Sequence, residues 1–339
     1  MHMADALVSP VVGGIMLAAS AGAIAYSAYK CKDDLDEKKI PLMGVMGAVI
    51  FAGQMINFTI PGTGSSGHIG GGILLAALLG PFPAFLTITA VLLIQALFFA
   101  DGGLLALGCN LWNMGFYSCL VIYPLVFRPI VKKGLTPTRI TTASILSVVI
   151  ALSLGAFSVV VETLSSGITE LPFVTFLGLM IPIHLAIGLV EGIVTGGILV
   201  FVYKMRPELL ETSVENKKLA KTVSIKKVVG MLLVFAVVVG GGVSVFASTN
   251  PDGLEWAMKN VTGTTELAAD GSVYETAADI QKATAFLPGY GFKSTSEEGS
   301  VAGTSLSGII GGGITLLLAG GTGLLIYAIK NKKKNQPDA

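Results

Sequence analysis

The chain is a succession of long apolar runs separated by short polar breaks. An α-helix needs about 20 apolar residues to cross the ~30 Å hydrocarbon core of a bilayer. Runs of that order lie at about 8–29, 40–60, 83–100, 104–127, 140–161, 172–203, 228–247 and 305–329. A shorter apolar stretch at about 70–81, closed by Pro81-Phe82-Pro83, predicts one short crossing, with a re-entrant segment as the alternative. The pattern predicts an all-α integral membrane protein. Residues 1–205 form a seven-helix bundle and 206–227 a polar cytoplasmic linker. Residues 228–339 form a second module of two spans, holding an extracytoplasmic segment at 248–304.

Composition agrees: 53% of residues are apolar and 13% charged. The net charge of +1 gives no sign of a nucleic-acid partner. The distribution of charge says more. Four clusters, at 30–39, 128–139, 204–227 and 330–334, hold 19 of the 22 Lys and Arg residues, leaving Lys259, Lys282 and Lys293 elsewhere. Basic residues gather on the cytoplasmic side. Parity from these clusters puts Met1, the 61–72 loop and 248–304 outside, and the C-terminus in the cytoplasm. Lys226-Lys227, the apolar run after them and Val245-Phe246-Ala247 imitate an internal signal peptide, as if the second module were once a separate subunit. Its last run carries Gly308, Gly311, Gly312, Gly313, Gly320, Gly321 and Gly323, a spacing that lets helices approach closely. Cys31, Cys109 and Cys119 form neither a disulfide framework nor a CxxC metal motif.

The candidate chemistry sits at the start. Met1-His2-Met3-Ala4-Asp5 offers a free α-amine one residue before an imidazole, because a bulky second residue blocks removal of the initiator. The Met1 amine, the His2 amide and the His2 ring close a five- and a six-membered chelate ring. His68 lies in the glycine-rich 62–72 loop on the same predicted side and would complete a flat four-nitrogen set, which suits Ni(II) or Cu(II) better than tetrahedral zinc. The same loop contains a literal GxGxxG, but no strand precedes it and no βαβ unit surrounds it, so it is not a dinucleotide site. His184 and Glu191, seven residues apart on one helix face, are ionisable groups inside a span that could be metal ligands, a proton relay or a structural polar pair, with structure or coupling favoured over metal binding because Glu191 lies nearer the inner end. Gln54 with Asn57, and Asn110 with Asn113, are pairs of amides directed into the bundle. Asn57, Asp5 and Asn110 are the candidates to brace the ligand set. No GxxxxGK[ST], HExxH or GxSxG occurs, so the chain offers no phosphate loop and no hydrolase nucleophile.

Met1-His2-Met3-Ala4-Asp5, Pro61–His68, Leu107–Met114 and His184–Gly192 resemble the CbiM/NikM family, the substrate-specific components of energy-coupling-factor transporters for nickel and cobalt. The resemblance covers about 1–205. Residues 225–339, with Asn250-Pro251-Asp252-Gly253-Leu254-Glu255, resemble the small PDGLE (CbiN/NikN-type) component, here fused to the first. Many relatives begin Met-His-Ile-Pro-Asp-Gly, and Ala4 and Ala6 replace the Pro and Gly. The resemblance implies six core helices plus an N-terminal one, and metal held by Met1, His2 and His68. It also implies a transmembrane coupling subunit and cytoplasmic ATPase subunits as partners in a prokaryotic cell membrane. The transported ion is expected to be Ni2+ first and Co2+ second. The resemblance also implies no organic cofactor, with ATP hydrolysis expected in the partners. Segment 128–139 and the small-residue faces of the early helices are candidate docking surfaces.

Overall fold

The computed structural model describes residues 1–35, 37–215, 217, 224–293 and 301–334. Parts of the expected linker (216 and 218–223), of the outer segment (294–300) and of the basic tail (335–339) lie outside the described residues. After a 3-10 turn at Asp5–Leu7, the first module runs α1 (Pro10–Asp34), α2 (Lys39–Gln54), β1 (Phe58–Ile60), β2 (Ser65–Gly67), α3 (Gly72–Leu79), α4 (Pro81–Phe98), α5 (Leu107–Lys132), α6 (Pro137–Ser166) and α7 (Phe173–Met205). Seven helices thus precede residue 206. Local chemistry sets their limits. Ser9 and Thr136 cap α1 and α6 ahead of Pro10 and Pro137, and Gly167 ends α6 in the left-handed region. The middle of α5, Leu111–Phe127, is wound as a π-helix around Pro124, which has no N–H to give.

Seven described helices are long and apolar enough to cross a membrane: α1, α4, α5, α6, α7 and two in the second module. Their outward faces carry exposed apolar side chains such as Val11, Ile15, Phe157, Leu189, Phe201 and Leu325, the surface a lipid solvent favours. Helix α2 is shorter, and only two of its sixteen residues escape full burial. Two expectations need correction here. The apolar run at 40–60 is not one helix: α2 stops at Gln54, and Phe58–Ile60 turns into a strand paired antiparallel with Ser65–Gly67. Gly62 and Gly64, at φ +77° and +75°, make the hairpin turn that L-residues resist. The short crossing at 70–81 is the eight-residue α3, wholly buried. It rises only ~12 Å, well short of a bilayer core.

The expected linker begins as a docked helix, α8 (Pro207–Glu215), which buries Leu209, Leu210 and Val214. Arg128 donates from Nε to the Val214 carbonyl at 2.8 Å, and Ser213 donates from Oγ to the Ala76 carbonyl at 3.1 Å. The second module then runs α9 (Ile225–Gly241), α10 (Gly253–Thr262), α11 (Ser272–Thr284) and α12 (Val301–Lys334). Helices α9 and α12 pack on α2 and on each other through small residues. A Cβ on Gly308 would strike the Gly240 backbone, and one on Gly44 would lie 2.8 Å from the Leu316 carbonyl. Helices α10 and α11 lie over the end of the bundle where the N-terminus enters.

Candidate metal site

The N-terminal segment is drawn into the bundle by its own backbone. Met3, fully buried, donates its N–H to Asn110 Oδ1 (2.7 Å), and its carbonyl accepts from Asn110 Nδ2 (3.1 Å) and from the Gly103 N–H (2.9 Å). Asp5 Oδ1 accepts the Ala106 N–H at 2.9 Å. Asn110 and Asp5 therefore brace the segment rather than touch the histidines. These bonds to the start of α5 hold the stretch where Ala4 and Ala6 provide no intrinsic stiffness. Asn57 has a different part: its backbone carbonyl accepts the Ser248 N–H at 2.8 Å, and no hydrogen bond among the described residues joins its side chain to either histidine.

The structure brings Met1, His2 and His68 together. The Met1 amine lies 3.1 Å from His68 Nε2, and the His2 and His68 rings stack with centroids 5.2 Å apart. His68 Nδ1 faces the Ile69 carbonyl at 3.4 Å, which assigns the proton to Nδ1 and leaves the Nε2 lone pair toward the amine. The His2 ring is held open instead. Its Nδ1 lies 3.3 Å from Asp101 Oδ1 and its Nε2 3.2 Å from Gln95 Oε1. Closing the six-membered ring requires His2 Nδ1 to leave Asp101. Burial lowers the pKa of both imidazoles; for His2 the Asp101 carboxylate opposes the shift, and for His68 the ammonium deepens it.

Sequence reasoning did not assign Asp252 to this site. Its Oδ2 sits 2.6 Å from the Met1 ammonium while its Oδ1 caps α10, accepting the N–H groups of Leu254 (2.8 Å) and Glu255 (2.9 Å). Glu255 returns the bond by accepting the Asp252 N–H at 3.0 Å, which completes a capping box. Burial alone would raise the Asp252 carboxyl, but the ammonium and the Glu255 N–H pull it well below the usual carboxylate range. The signal was present in the Asp-x-x-Glu of the PDGLE motif. Its partner, 251 residues away, was not.

The turn carrying Asp252 is joined to the hairpin that carries His68. Ser66 donates its N–H to the Pro251 carbonyl (2.8 Å) and its Oγ to the Asn250 carbonyl (2.7 Å), and Trp256 Nε1 donates to the Thr63 carbonyl (2.9 Å). Tyr290, also from the second module, donates its hydroxyl to Asp101 Oδ2 at 2.5 Å. Both modules thus build the site. Below the amine a cavity of about 30 Å³ reaches down between α5, α6 and α7, past His184 and Glu191. Among the described residues, no three His, Cys, Asp or Glu side chains converge as a metal cluster.

Residues 2–209 match the family described as “Cobalt uptake substrate-specific transmembrane region”, named CbiM. The chain belongs to the CbiM family. Residues 226–328 match the PDGLE domain, so this CbiM chain is a fusion. A protein of Haloquadratum walsbyi, provisionally named a metal transport protein, is 35% identical over 228 residues, 66% of this chain and 100% of its own. The fused nickel transport protein NikMN of Rhodobacter capsulatus is 33% identical over 225 residues, 62% of this chain and 64% of its own. A solved transition metal transporter superposes with a TM-score of 0.54 at 28% identity, covering 64% of this CbiM chain and 100% of the other.

Proposed function

We propose that this chain is the substrate-binding membrane subunit of an ATP-driven importer of divalent transition metal, Ni2+ before Co2+. The observation that carries the reading is the buried Met1 amine 3.1 Å from His68 Nε2, with His2 stacked on that ring. The ion takes the Met1 amine, the His2 amide, His2 Nδ1 and His68 Nε2, once the His2 ring leaves Asp101. Four nitrogens in a plane suit Ni(II). The Met1 end and the PDGLE turn face outward, and the basic helix ends face the cytoplasm. The chain itself is not an enzyme. Hydrolysis of ATP belongs to separate cytoplasmic ATPase subunits acting through a transmembrane coupling subunit, and release follows reorientation of the whole subunit against them.

One observation favours cobalt as the runner-up. Asp252 Oδ2 at 2.6 Å from the amine offers a fifth donor, which Co(II) accepts more readily than planar Ni(II). The test is to purify the full chain with an untagged start and again with one glycine placed before Met1. The native protein should bind one tight equivalent of Ni2+ with the spectrum of a planar, diamagnetic ion, and the extended protein should lose it. Retention of tight binding by the extended chain would overturn the proposal. A paramagnetic five-coordinate nickel spectrum, with tighter Co2+ binding, would transfer the assignment to cobalt.

A further inference from the structure

The cavity beneath the Met1 amine holds polar atoms that the capture site does not use. His184 is 1% exposed, and its Nδ1 donates to the Met180 carbonyl at 2.7 Å, so Nε2 carries a lone pair with no partner. Glu191 is 3% exposed; its Oε1 accepts the Gly71 N–H at 2.9 Å, and its Oε2 has no partner. Asn113 is 2% exposed, and its Nδ2 serves Glu162 at 2.7 Å, which leaves Oδ1 bare. All three residues line the one cavity. The orphaned atoms face its walls: Nε2 of His184 lies 3.2 Å from where a Cβ on Gly253 would stand, and Oε2 of Glu191 lies 3.5 Å from the same point on Gly70.

Three residues that carry unpartnered acceptor atoms line this space of about 30 Å³, with His184 beside Gly253 and Glu191 beside Gly70 at different depths along it. That is room for a single ion with a water or two. No Lys or Arg lines the cavity, and its one cationic group, the Met1 ammonium, is committed to Asp252. Water would satisfy these groups with the carboxyl protonated, whereas a cation would take its ionised form. We propose that this cavity is a second, inner position for a divalent transition-metal ion, below the N-terminal chelate, with either His184 Nε2 or Glu191 Oε2 as its direct protein ligand at a given depth and water between the ion and the other.

This position rests on the capture reading for its cargo but on separate residues for its ligands. A mixed nitrogen–oxygen set accepts first-row divalent ions without demanding planarity. His184 and Glu191 stand seven residues, or ~10 Å, apart along α7, so one ion cannot bind both directly. It meets them in turn, with water completing its shell. The inner position is therefore the weaker of the two and serves an ion leaving the chelate toward the middle of the bundle.

The test is a count of Ni2+ bound, by equilibrium dialysis with Ni2+ alone as the probe, on the full chain with a native start. Wild type should take a tight equivalent and a weaker one, with a second anomalous peak at the nickel edge beside His184. His184→Gln, and separately Glu191→Gln, which keeps an acceptor for the Gly71 N–H, should each weaken the second equivalent roughly tenfold or more. Both should leave the first unchanged within about twofold. The glycine-extended chain should lose the first equivalent and keep the second. A single equivalent in wild type, or a second one indifferent to both substitutions, would overturn the inner position and leave the capture site standing. If both equivalents survive the added glycine while the substitutions still remove one, the chelate fails and the inner position stands.

Discussion

Replacing Asp252 by Asn isolates the charge of one carboxylate. Asn caps a helix as well as Asp does, so the N–H groups of Leu254 and Glu255 keep their acceptor. What disappears is the 2.6 Å ion pair with the Met1 ammonium, whose partners are 4% and 15% exposed. Removing one member of a buried pair costs about 3–5 kcal/mol when the survivor has to remain charged. Water reaching the 15%-exposed Asp252 end of the pair keeps the loss toward the low end of that range. A metal has to displace a proton from the amine before it can bind there. Asp252→Asn should therefore lower the melting temperature of the metal-free protein and tighten Ni2+ binding about tenfold, the equivalent of about 1.4 kcal/mol. Calorimetric titration of both proteins with native starts, repeated in buffers of different ionisation enthalpy, reads affinity and proton release together. The variant should release fewer protons per ion. A tenfold weaker affinity with undiminished proton release would refute the reasoning, because the carboxylate would then be a ligand and not a rival.

The remaining expectations test the frame around that pair. The imidazoles of His2 and His68 are held below 6.5 by burial, so the folded state takes up fewer protons than the unfolded chain. Their contribution is intact above pH 6.5 and declines as pH falls below it. Asp252, depressed from 3.8, keeps its contribution until the pH passes below that value. The melting temperature of the metal-free protein should accordingly start to fall just below pH 6.5, and a flat profile down to pH 5 would count against buried neutral histidines. Gly67→Ala would set a Cβ 2.7 Å from Cγ1 and Cγ2 of Ile187, atoms too near the backbone to swing away. It should cost about 1–3 kcal/mol in thermal stability and weaken Ni2+ binding by shifting His68. Asn110→Ala removes both bonds to Met3 and leaves its buried N–H unsatisfied, a loss of about 1–3 kcal/mol. Faster proteolytic trimming of the N-terminus would report it, and unchanged trimming would argue that Asn110 is dispensable.

The seven helices before residue 206 were legible because apolar runs and basic clusters repeat along the chain, and both signals are local. His2 and His68 could be brought to one end by the same reasoning. The hairpin at 58–67 was not legible: its first strand, Phe58-Thr59-Ile60, continues an apolar run, and only Gly62 and Gly64 announce the turn. Neither the grip of Asp101 and Gln95 on His2 nor that of Asp252 on the amine follows from any periodicity, since each depends on elements that meet only after the bundle has formed. The docked α8 escaped notice because four buried residues in a highly charged stretch are too few to outweigh its polarity.

The seam between the two modules is built largely from main-chain groups: the carbonyls of Thr63, Asn250 and Pro251 and the N–H of Ser66. Such a joint depends on the letter only at its donors, Ser66 and Trp256, and is intolerant of changes of length. A residue inserted between Ser248 and Asp252 would slide the acid past its amine while leaving every side chain of the motif intact. Anyone re-engineering this clasp has freedom in spelling at the accepting residues and almost none in spacing.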